Sequence, residues 1–107
     1  MLIEVDLAPG SVTLTGADDF TRFHVSVLGR QDGTRLDAVL RATATGELDD
    51  ASDAATDALV RVDAVRRMAG RADAQWEAHF AAMLDFARTK GWLIDHGSAI
   101  RAHIEWD

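Results

Sequence analysis

Cysteine is absent from the 107 residues, which excludes disulfides, thiolate metal ligands and a cysteine nucleophile. Proline occurs once, at Pro9, and no low-complexity segment interrupts the chain, so little of it is marked as linker or disordered tail. No hydrophobic run approaches the length of a membrane span. The opening Met1-Leu2-Ile3-Glu4-Val5-Asp6 has no basic region and interrupts its apolar residues with acids, unlike a secretory signal. Residence in the cytoplasm, away from membranes, is the expectation. Cations are also scarce: eleven Lys and Arg stand against eighteen Asp and Glu, for a net charge of −7. Phosphate backbones and anionic lipid are held by releasing counterions from clustered cations, so nucleic acid and membrane are disfavoured as partners.

The composition is otherwise that of a folded protein, 48% hydrophobic and 27% charged, and its length suits a single domain over residues 1–107. The segment from Asp73 to Trp106 organises the rest. Trp76, Phe80, Met83, Leu84 and Ala87 recur at three- and four-residue spacing, which predicts an amphipathic helix at about residues 73–90 with that face buried. Lys90 and Gly91 give a cationic last turn and a left-handed stop, after which Trp92 is placed to fold back near Phe86 and Ala87. Ile100, Ala102, Ile104 and Trp106 then alternate with Arg101, His103 and Glu105, the pattern of a strand with one buried face.

Upstream, Ile3, Val5 and Leu7 alternate with acids, and Val12 and Leu14 alternate with threonines across a Pro9-Gly10 turn. Phe20 to Leu28 reads as a third strand, with Phe23, Val25 and Val27 on one face and Arg22, His24 and Ser26 on the other. Residues 34–45 admit two readings. Thr34 can cap a helix carrying Leu36, Val39, Leu40 and Thr43 inward, with Asp37 completing a capping box, whereas the β-branched residues also allow a hairpin with the third strand. Glu47 to Thr56 is acidic and reads as an exposed loop, and Leu59 to Val62 as a short strand. Asp63 is placed to cap a brief helix ended by Gly70. The predicted architecture is α+β: a small mixed or antiparallel sheet of four to five strands covered on one face by two to three helices.

No motif names a reaction. The strongest constellation is the polar face of the sheet, where Arg22, His24, Arg101, His103 and Glu105 converge if their strands are neighbours. Two imidazoles beside a carboxylate can hold a ligand or move protons, and arginines can orient an anion. A solvated sheet face displays such residues equally well, so they stand as ligand-binding candidates with no catalytic residue, metal ligand or cofactor assigned. Asp49-Asp50-Ala51-Ser52-Asp53 matches an aspartate-rich magnesium pattern, but fourteen aspartates make a chance match the simpler account. Arg61, Arg66, Arg67 and Arg71 form a basic island expected to pair with nearby acids. His79 is expected at the core margin and His96 in a turn, with Trp76, Trp92 and Trp106 as core anchors. The leading expectation is a small acidic accessory protein, acting without catalysis through a protein partner or as a homo-oligomer. The alternative is a small metal- or anion-dependent enzyme or ligand-binding domain using the His/Glu/Arg cluster.

Overall fold

A computed structural model describes residues 1–50, 52–71 and 73–107; Ala51, in the middle of the aspartate-rich stretch, lies outside the described residues. Among the described residues, seven strands and three α-helices follow one another as β1 (Leu2–Asp6), β2 (Ser11–Thr15), β3 (His24–Leu28), α1 (Gly33–Ala42), β4 (Gly46–Leu48), β5 (Asp57–Arg61), α2 (Val62–Ala69), α3 (Ala74–Thr89), β6 (Leu93–Ile94) and β7 (Ala99–Trp106). The strands form one mixed sheet in the order β2-β1-β3-β7-β5-β4, parallel between β1 and β3 and between β3 and β7, and otherwise antiparallel. Strand β6 pairs with the first half of β7 through Leu93–Ile100 and Ile94–Ala99, alongside residues that β3 does not reach.

The class is therefore α+β, with more strands than the four to five expected. The two additions, β4 and β6, are three and two residues long, too short for a period-two pattern to register. Residues 34–45 are mostly helix, and the hairpin reading fails. Helix α1 starts earlier than Thr34 because the Asp32 carboxylate accepts the Arg35 N–H at 3.0 Å and becomes its cap. Asp37 does not complete a capping box; it accepts from the Leu48 N–H and from Arg41 Nε, both at 2.8 Å, and so fastens β4 to the helix. Strand β3 begins at His24, leaving Phe20 to Phe23 as irregular chain. Helix α2 starts directly off β5 at Val62, whose N–H donates to the Ser98 carbonyl at 2.9 Å, so Asp63 lies inside the first turn and not at the cap.

Alternation decides which side of the sheet is covered. Ile3, Val5, Val25, Val27, Ala58, Val60, Ile100, Ala102 and Ile104 share one face and are buried in one cluster with Leu36, Val39 and Leu40 of α1, Val62 and Val65 of α2 and Trp76 and Phe80 of α3. The organising helix behaves as its spacing requires. Asp73 caps it by accepting the Trp76 N–H at 3.0 Å, and Trp76 stacks on Phe80 with ring centroids 4.9 Å apart. Gly91 adopts φ +76°, which lets the Trp92 N–H reach back to the Ala87 carbonyl at 2.9 Å. Trp92 then meets Phe86 edge-on at 6.0 Å, but 43% of Trp92 and 56% of Phe86 stay exposed, so Trp92 is not the core anchor expected. Gly46 of β4 is required by close approach, since a Cβ there would collide with the Leu59 carbonyl oxygen. No helix among the described residues is long and apolar enough to cross a membrane.

Candidate functional site

Among the described residues, no helix covers the second face of the sheet. Its side chains are those that alternate with the core: Glu4 and Asp6 on β1, Ser11, Thr13 and Thr15 on β2, His24, Ser26 and Leu28 on β3, Asp57 on β5, and Arg101, His103 and Glu105 on β7. Register places them in rows that cross the strands. Thr15, Leu2, His24, His103 and Asp57 form one row, and Thr13, Glu4, Ser26 and Glu105 the next.

Three of the five candidate residues are brought together by this register. His24 stands opposite His103 on the neighbouring parallel strand, and His24 Nε2 lies 3.5 Å from Glu105 Oε2. The other two are placed elsewhere. Arg22 precedes β3, in irregular chain where its backbone carbonyl accepts from the Met1 ammonium at 2.9 Å. Arg101 is on the open face, but its guanidinium is turned to Asp49 at 2.5 Å, and that hydrogen bond raises its pKa above the ordinary guanidinium value. Among the described residues, no three His, Asp or Glu side chains are grouped so as to hold a metal ion.

A depression of about 370 Å³ opens at the other end of this face, where β1, β2, β3 and the end of the chain meet. Glu4, Asp6 and Asp107 supply carboxylates to its lining, and Ser11, Thr13 and Ser26 supply hydroxyls, with no cationic side chain among the lining residues. Such a surface accepts hydrogen bonds from an ammonium or guanidinium group and repels anions. The signal for these residues was present in the Glu4 and Asp6 alternation. Their meeting with Ser26 and Asp107 was not legible, because it depends on β1 and β7 flanking β3.

The remaining charged features are largely neutralised within the fold. Arg61 pairs with Asp63 at 3.3 Å, Arg66 with Glu77 at 3.1 Å, and Arg71 with Asp18 at 2.6 Å and Asp73 at 3.1 Å, while Arg67 donates to the Thr43 carbonyl at 3.2 Å. Asp63 is consequently held below the usual carboxylate range, chiefly by its hydrogen bond from Arg61. A larger groove, about 460 Å³, is lined by Arg41, Arg61 and Arg67 together with Glu47, Asp63 and Asp95, so opposite charges balance along it. The acidic segment from Glu47 onward is likewise engaged: Glu47 pairs with Arg41 at 2.9 Å, Asp49 with Arg101, and Asp53 accepts the Gly33 N–H at 2.8 Å. Glu4 and Asp6 make no ion pair with Lys or Arg among the described residues, which sets this end of the open face apart.

His79 is exposed on α3, with its ring 5.5 Å from that of Phe20, and His96 occupies a left-handed turn at φ +58°. No protein-family model, curated protein or solved structure matches the chain.

Proposed function

We propose that the protein is a non-catalytic accessory protein of the cytoplasm that docks a basic protein partner on the open face of its sheet. The observation that carries this reading is the trough of Glu4, Asp6 and Asp107 with three hydroxyl side chains, free of lining cations, on a face that no helix covers. Carboxylates with no internal cation keep their field directed outward, where it speeds encounter with a positive surface and selects against a negative one. The exposed Leu28, 54% accessible at the trough's rim, adds an apolar contact of the kind that gives such docking its affinity.

This reading moves the recognition surface. Glu47, Asp49 and Asp53 of the acidic segment after α1 serve the fold, and the uncompensated acids lie on β1. Native mass spectrometry of the protein isolated gently from its host tests the idea. The expected result is a complex with a basic protein that is lost in Glu4→Lys and retained in Asp50→Lys. A bound small molecule with no protein partner would contradict it.

A second reading is favoured by one contact, the 3.5 Å approach of His24 to Glu105 beside His103. It makes the His24 and His103 pair a ligand site, with imidazole N–H groups as donors to an anionic group. His103→Ala would then abolish ligand binding and leave the fold intact, as read by mass spectrometry of the same preparation and by circular dichroism.

A further inference from the structure

The two edges of the sheet differ in how they are closed. At the β4 edge the strand is only three residues long, Glu47 is charged, and the Leu48 N–H is taken by the Asp37 carboxylate at 2.8 Å. Short length, a charge and a capped donor are devices that stop a sheet from growing. The β2 edge has none of them. Ser11-Val12-Thr13-Leu14-Thr15 is five residues long, carries no charge and no proline, and is β-branched at three positions.

The ladder fixes which backbone groups of β2 are free. Leu7 donates its N–H to Leu28 across the β1–β3 pair, so the odd residues of β1 direct their backbone groups toward β3 and the even ones toward β2. Leu2, Glu4 and Asp6 therefore bond Thr15, Thr13 and Ser11, and the N–H and C=O groups of Val12 and Leu14 point away from the sheet. No hydrogen-bond partner meets them among the described residues, although α1 and α2 pack against this strand.

We infer that this edge is a self-association surface, on which β2 of a second copy of the chain pairs antiparallel about a two-fold axis through Thr13. In that register Val12 lies opposite Leu14 of the second copy and exchanges both backbone bonds with it, twice by symmetry. The two Thr13 side chains meet in the close, non-hydrogen-bonded position, where threonine pairs are favourable. The half-buried side chains of Val12 and Leu14, already packed against the core, gain a cross-strand cover. Gly10 falls opposite Gly16, and no acid meets an acid across the new pair. The acids of β1 in the two copies stand three strand spacings apart, about 14 Å, beyond a Debye length of about 8 Å at physiological salt. Pairing of identical strands closes after two copies, as an isologous contact must, and continues the open acidic face across the dimer. The inference is independent of what that face binds.

Amide exchange and sedimentation of the intact protein from about 1 µM to about 1 mM test it together, over a range that brackets weak homodimers. The expected result is a monomer–dimer equilibrium in which the Val12 and Leu14 amides become protected as concentration rises, while Thr13, bonded to β1, is protected throughout. Val12→Pro removes an outward donor without touching a bond to β1 and should abolish the dimer. Thr13→Lys, on an exposed position, should raise the dissociation constant a few-fold by setting two cations face to face. If Val12→Pro does not fold, Thr13→Lys carries the test. A protein that stays monomeric across the range, or a dimer indifferent to Thr13→Lys with Val12 and Leu14 unprotected, would overturn the inference.

Discussion

The indole of Trp76, in the first turn of α3, donates its N–H to the carbonyl oxygen of Ala17 at 2.8 Å, tying the longest helix to the turn that follows β2. Trp76 is 1% exposed and also touches the ring of Phe20, with centroids 5.9 Å apart. One side chain therefore supplies core volume, an aromatic stack and a satisfied polar atom that positions the irregular chain leading into β3.

Removing that side chain should be among the most costly single changes in the protein. Trp76→Ala is expected to lose about 3–5 kcal/mol of unfolding free energy, the range for deleting a large buried aromatic. Trp76→Phe keeps most of the stacking and orphans the Ala17 carbonyl, at about 1–2 kcal/mol. Urea denaturation of the two variants separates these contributions.

Asp37 holds β4 through a backbone donor, so its two oxygens matter more than its charge. Asp37→Ala leaves the Leu48 N–H without its acceptor and should cost about 1–3 kcal/mol, whereas Asp37→Asn retains an acceptor oxygen and should cost less. Equal losses in the two variants would assign the effect to the Arg41 ion pair instead.

The cap of α3 gives the protein a specific acid sensitivity. Asp73 is held below its ordinary pKa, first by the Trp76 N–H and then by Arg71. A lowered folded-state pKa contributes stability that is complete above the unfolded value, about 4, and is lost as pH falls through that value toward the folded one. Thermal melts below about pH 4 should therefore fall more steeply for the wild type than for Asp73→Asn, which caps without titrating. Parallel curves would show that other carboxylates dominate acid unfolding.

Elements that repeat a pattern over several turns or pleats are legible in the sequence alone. The stripe from Trp76 to Ala87 and the alternation from Ile100 to Trp106 name their own buried faces, because periodicity and burial are the same physical fact. Strands β4 and β6 were not legible: Gly46-Glu47-Leu48 and Leu93-Ile94 are strands because β5 and β7 offer them partners, which is information held outside the segment. Caps failed for a related reason. Thr34 and Asp63 are good capping residues, but Asp32 and the Ser98 carbonyl reach the helix starts first. The candidate site was half legible, since alternation put His24, His103 and Glu105 on polar faces but only the parallel β3–β7 pairing makes them neighbours. The same pairing was needed to see that Glu4, Ser26 and Glu105 share a row.

A basic partner is proposed to bind the uncovered acidic face. Titrating isotopically labelled protein with an oligoarginine peptide, and following each amide by NMR, tests it most directly. Shifts are expected to concentrate on Glu4, Asp6, Ser26, Leu28 and Asp107, to weaken as salt is raised and to be lost in Glu4→Lys. Shifts centred instead on the groove of Arg41, Glu47 and Asp63, on the acidic segment after β4, or nowhere at low salt, would contradict it.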